Sequence, residues 1–175
     1  MGTTGSGKTT LAKYLARGLK VSHVEFHALR NGPNWTETPD EEFKELLSEA
    51  LIADGNYTVA GQVVWPRATM LVWLDYPFGI IFWRLFWRTL RRGIIRQRLW
   101  NGNRENLWTQ FATKDSLFLW VFKTHWQRRR TLPPALALPE YSHMRVLRIH
   151  SPRTTNKWLQ EVIIAEFALN NGSSR

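Results

Sequence analysis

Apolar and polar positions along the chain switch between two rhythms, and the switches mark out alternating helices and strands. Thr9 to Gly18 carries helix formers, with Gly18 placed to cap the C-terminal end. Val21 to Phe26 reads as a short strand, and Asn31-Gly32-Pro33-Asn34-Trp35 as a loop. Thr38 then caps a helix with Pro39, Asp40, Glu41 and Glu42 in its first turn, where acids face the positive end of the dipole. Phe43, Leu46, Leu47 and Ala50 keep helical spacing behind it. Leu51-Ile52-Ala53 is an apolar run stopping in the turn Asp54-Gly55-Asn56-Tyr57. Met70 to Leu74 is a buried strand closed by Asp75-Tyr76-Pro77, and a long basic, aromatic helix follows to about Leu99. Trp100-Asn101-Gly102-Asn103-Arg104-Glu105 is a loop and Ser116 to Arg130 a further helix. Val146 to Ile149 makes a last strand, Thr154 to Leu169 a last helix, and residues 170–175 a frayed tail.

Strands alternating with helices predict one α/β domain over residues 1–169, with a parallel sheet flanked by helices. In open parallel sheets ligands gather at the carboxyl ends of the strands. That rule places the segment before Thr9, Glu25–His27, Asp54, Asp75 and the turn after Ile149 on one rim.

Composition narrows the picture. A length of 175 residues with 43% apolar content suits a single folded domain rather than a disordered chain. The absence of cysteine excludes disulfides, thiolate zinc sites and a cysteine nucleophile. No secretory signal precedes Gly2, which makes the cytoplasm the default compartment. The formal charge of +10 is concentrated: Arg84 to Arg130 holds twelve Lys or Arg against Glu105 and Asp115, and the remainder is neutral. That segment must face phosphate, acidic lipid or solvent. It also holds six of the ten tryptophans: Trp83, Trp87, Trp100, Trp108, Trp120 and Trp126. Met70 to Trp87 is strongly apolar, but Asp75, Pro77 and Arg84 interrupt it, so no membrane span is expected, and adsorption to a membrane surface through Arg and Trp is a less favoured reading.

The candidate chemistry begins at Gly2-Thr3-Thr4-Gly5-Ser6-Gly7-Lys8-Thr9, which fits the phosphate-loop pattern G-x-x-x-x-G-K-[ST]. Glycines accept backbone angles that let successive N–H groups, from Gly2 through Thr10, turn around a phosphate. Lys8 brings an ammonium to the β/γ-phosphates, and the Thr9 hydroxyl suits Mg²⁺. The helix opening there favours anions at its N-terminus. Such a loop is expected to follow a buried strand, and only Met1 precedes Gly2, so the first strand is expected to be missing.

Asp54 is either a second metal carboxylate, acting through water, or an Asx turn. Asp75 is better placed to cap the helix after it than to bind metal. Arg84, Arg88, Arg91 and Arg92 fall on one helical face, where at least one can reach phosphate. Arg96, Arg98 and Arg104 suit a lid at about 91–115. Arg128-Arg129-Arg130 reads as a solvated helix end, His27 as a hydrogen-bonding loop residue or an acid/base, and Trp35, Trp65 and Trp100 as pocket or packing residues.

The loop is followed in order by Gly32-Pro33-Asn34-Trp35-Thr36-Glu37-Thr38-Pro39, Asp54-Gly55-Asn56-Tyr57, Trp73-Leu74-Asp75-Tyr76-Pro77 and Trp100-Asn101-Gly102-Asn103-Arg104-Glu105. That series resembles the adenylate-kinase-like P-loop kinases called topology modulation proteins, over nearly the whole chain to about Leu159. The resemblance implies a three-layer, nucleoside-kinase-like P-loop NTPase fold, ATP with Mg²⁺, and phosphoryl transfer to a nucleotide or other small acceptor. It places His23–Trp35 at the acceptor, Asp54-Gly55 near metal and acceptor, Arg96–Glu105 in the lid and Ser151-Pro152-Arg153 beside the adenine. Lys8 would stabilise the migrating phosphoryl group, Thr9 and Asp54 would hold the metal, and Arg88, Arg92, Arg98 and Arg104 would be lid or sensor residues. The pattern expects an acid where His27 stands and a longer lead into Asp54 than Glu49–Asp54 supplies. Two other readings stay open: a nucleotide-binding regulator, with nucleic acid as a less favoured partner, and a truncated, inactive relative.

Overall fold

The computed structural model describes residues 1–26, 39, 51–55, 63–95 and 117–172. Helix α1 (Lys8–Leu19) is followed by strand β1 (His23–Glu25). Strands β2 (Ile52–Asp54) and β3 (Met70–Leu74) come next, then helices α2 (Phe78–Ile95) and α3 (Leu117–Leu136). Strand β4 (Arg145–Ile149) and helix α4 (Pro152–Gly172) complete the α/β order. The expected helix after Thr38 and loop at 100–105 lie outside the described residues.

Among the described residues the strands form two parallel pairs rather than one sheet. In one, β1 lies beside β2 with Glu25 opposite Asp54; in the other, β3 lies beside β4 from Met70 opposite Arg145 to Leu74 opposite Ile149. Met1 and Gly2 run parallel to β3. The Met1 ammonium donates to Val72 O at 2.8 Å, Met1 O accepts from Leu74 N at 3.0 Å, and Gly2 bridges Leu74.

Strand β3 buries residues on both faces, as its continuous apolar run requires. Leu71 and Trp73 join Leu132 of α3 and Met144 in one cluster. Leu74 joins Leu11 and Leu15 of α1, Ile81 and Leu85 of α2, Val121 of α3 and Ile149 in the other, with Val72 packed against it. Alternation along the strand sends its side chains to opposite sides, so helices cover both faces. Leu132 also explains why α3 continues past Arg130 to Leu136 despite Pro133 and Pro134: its burial holds the last turns in place.

Two local expectations are corrected. Gly18 does not cap α1; Lys20 takes the left-handed conformation (φ 55°) and its N–H bonds Ala16 O. Gly18 lies inside the helix because Ile163 of α4 crosses there, and a Cβ would stand 2.6 Å from Ile163 Cγ1. Asp75 does not cap α2. Its buried carboxylate accepts from Arg129 Nε at 2.6 Å and from Arg148 Nη2 at 2.6 Å, with both partners far away in sequence.

Candidate functional site

The glycine loop is built by backbone that only glycine adopts easily. Gly7 sits at φ 93° at the start of α1, where the chain turns into the helix without a side-chain cap. Gly2 sits at φ 147°, and a Cβ there would lie 2.8 Å from Leu74 O and from Ser6 Oγ. Ser6 N donates to Thr3 O at 3.0 Å and Leu11 N to Gly7 O at 3.0 Å, which closes the loop onto the helix. Thr3 and Ser6 are buried, Thr4, Gly5 and Thr9 partly so, and Thr10 is exposed. The buried Ser6 hydroxyl has no hydrogen-bond partner among the described residues.

Cations converge on this loop from three elements. Lys8 donates to Thr3 O at 3.4 Å, Arg84 of α2 to Ser6 O at 3.4 Å, and Arg128 of α3 to Gly2 O at 3.2 Å. Burial lowers the Lys8 ammonium to about 8; Arg128 and Arg88 push it the same way, while Asp54 and Glu25 oppose them. Burial also lowers the pKa of Arg128, whose guanidinium lies 5.8 Å from the Trp120 ring centre. The three contacts to loop carbonyls are long, so they are weak hydrogen bonds that a phosphate oxygen, a stronger acceptor, would displace.

A cleft of about 360 Å³ opens on the outer side of the loop. Gly5, Gly7, Thr10 and Tyr14 form one wall, Arg84 and Arg88 of α2 another, and Pro152 and Asn156 of α4 the third. Arg84 lies 5.5 Å from the ring centre of Tyr76, whose hydroxyl is fixed by Thr155 Oγ1 at 2.6 Å. On the inner side, the Thr9 hydroxyl donates to Glu25 Oε1 at 3.4 Å, and Glu25 also pairs with Lys13 at 3.6 Å. Strand register sets Glu25 beside the buried Asp54, so two carboxylates and a hydroxyl meet near Lys8. Among the described residues no group of three His, Cys, Asp or Glu forms a metal cluster.

The structure therefore brings together Gly2, Thr3, Thr4, Gly5, Ser6, Gly7, Lys8, Thr9, Thr10, Asp54 and Arg88. Arg98, Arg104 and His27 lie outside the described residues, and Arg92 is described only as part of the α2 backbone. The reading of Arg128–Arg130 as a solvated end is overturned for two of the three. Arg128 reaches Gly2, Arg129 holds Asp75, and only Arg130 is exposed. Val121, His125, Arg128 and Leu132 fall at i, i+4, i+7 and i+11, so the helical period was the signal for Arg128 on the inward face. Glu25 stood on the expected rim without an assigned role. His125 belongs to the same layer: it is buried, lies 3.3 Å from Thr3 Oγ1, and has its pKa lowered by burial and by Arg129. No family model, curated protein or solved structure matches this chain.

Proposed function

We propose that the chain is an ATP-binding P-loop kinase-like protein of nucleoside-kinase architecture, transferring the γ-phosphoryl group to a nucleotide or other small acceptor. One observation carries the reading: Lys8, Arg84 and Arg128, from three different helices, each donate to a carbonyl of the glycine loop, at 3.4, 3.4 and 3.2 Å. Cations gathered at that density need a polyanion to balance them. The outer cleft, at about 360 Å³, falls within the range of small-molecule sites. In this assignment Arg84 and Pro152 flank the nucleobase, and the loop N–H groups with Lys8 hold the phosphates.

Mg²⁺ fits the inner side, because this ion is held by one or two carboxylates and substrate phosphates rather than a full protein cage. Thr9, Asp54 and Glu25 are the residues that would hold it. When bound, it neutralises charge on the phosphate oxygens. The chain's own contribution is positional: Lys8 and Arg88 fix the terminal phosphate and stabilise the charge spread over it during transfer. The α1 N-terminus adds its dipole.

Titration with a fluorescent ATP analogue tests the binding half. Lys8→Ala is expected to weaken binding about ten- to hundredfold, the worth of one charged hydrogen bond. Unchanged affinity would sink the assignment. ATP consumption screened against nucleotides and small hydroxyl compounds tests the transfer half. Binding without turnover on any acceptor would leave a nucleotide-binding regulator.

A further inference from the structure

We propose that the outward faces of α2 and α3 form a surface that adsorbs to anionic lipid bilayers, independently of the nucleotide cleft. Their outward positions carry Arg91, Lys123 and Arg130, and neither helix holds an Asp or Glu. Their outward residues are also unusually apolar. Trp83 is 59% exposed, Trp87 50%, Leu119 59% and Phe122 54%. Exposed apolar area gathered in one place marks an interaction site rather than ordinary surface.

The residues form continuous stripes. On α2, Trp83, Trp87 and the exposed Arg91 repeat every four positions; on α3, Leu119, Lys123, Trp126 and Arg130 repeat at four, three and four. The helices meet through rings at the seam, Phe82 with Phe118 at 5.4 Å and Phe78 with Phe122 at 5.5 Å. Apolar rings with cations beside them match the boundary between acyl chains and acidic headgroups. No helix among the described residues is long and apolar enough to cross a membrane, so the contact lies in the plane of the interface.

Single-stranded nucleic acid is the competing partner for a basic, aromatic surface, but it needs open ring faces on which bases stack. Here Trp83, Trp120 and Trp126 each already have a neighbour packed on one face. Arg128 covers Trp120 at 5.8 Å and Arg129 covers Trp126 at 5.6 Å. Trp83 lies against Phe86 at an interplanar angle of 16°, with Trp87 edge-on to it at 84°. Stacked bases would have to displace those neighbours, whereas lipid chains need only exposed ring area.

Flotation of the full chain with vesicles of phosphatidylcholine alone, or with phosphatidylserine added, tests the proposal. Binding should be roughly a hundredfold stronger to the acidic vesicles, from Arg91, Lys123 and Arg130 acting together, and should fall with salt. Trp83→Ser with Trp87→Ser should abolish it. Lys123→Glu with Arg130→Glu should remove the preference for acidic lipid, which decides the matter even if the tryptophan variant is unstable. ATP-analogue affinity should be unchanged in both, since none of these residues lines the cleft. Equal, negligible binding to both vesicle types would overturn the proposal. So would tighter binding of a single-stranded oligonucleotide lost in the same variants, or a dimer that shields Trp83 and Trp87.

Discussion

The Met1 ammonium of this 175-residue chain is a part-buried charge whose desolvation bears on stability. It donates to Val72 O at 2.8 Å, yet burial lowers its pKa from 8.0 to about 5, with Lys8 pushing the same way. The unfolded chain therefore binds a proton that the folded chain resists as pH falls from 8 towards 5. Linkage makes the loss roughly 1–2 kcal/mol at pH 7, about 4 kcal/mol near pH 5, and nothing above about pH 9. Acetylating Met1 removes the charge but keeps an N–H to donate to Val72. The acetylated chain should melt about 3–6 °C higher at pH 7, because 1 kcal/mol shifts a domain of this size by roughly 2–4 °C. The gap should widen towards pH 5 and close at pH 9. Thermal melts of both forms across that range are the assay. Parallel curves with no gap at pH 6 would refute a desolvated amine and its position beside β3.

Asp75→Asn should destabilise by about 2 kcal/mol, less than a fully buried pair because Arg129 and Arg148 are partly exposed. Burial alone would raise the Asp75 pKa, but hydrogen bonds from Arg129 and Arg148 outweigh it and hold it low. Its contribution is therefore present above the ordinary carboxylate range and is lost as pH falls through the depressed folded value; acid unfolding of the Asn variant should lack that component. Gly18→Ala should destabilise by about 1–2 kcal/mol in denaturant melts although alanine is the better helix former, because the new methyl strikes Ile163. In an Ile163→Ala background the same Gly18→Ala change should be neutral or slightly stabilising. Arg128→Met should weaken ATP-analogue binding and raise the Lys8 pKa, read by pH-dependent amine labelling, because one of its repelling neighbours is gone.

What the chain discloses in advance depends on how far apart the partners are. Strand β3 was legible to the residue, because five consecutive apolar positions, three of them buried, leave no competing period. The glycine loop was legible for the same local reason: its spacing is its geometry. Asp75 was not, since its partners lie 54 and 73 positions away and nothing near it distinguishes a cap from an ion pair. Gly18 misled because glycine answers two needs, a left-handed cap and a close approach, and only the path of α4 decides between them. Arg128 shows the more general trap. Three consecutive arginines invite a collective reading as solvated charge, yet successive helical residues point about 100° apart, so neighbours in sequence part company in space. One arginine reaches the glycine loop, the next locks Asp75, and the third is exposed, on the side proposed to meet lipid. The same turn of helix thus ties the candidate cleft to the candidate surface, and substituting the three arginines singly rather than together is what separates their roles.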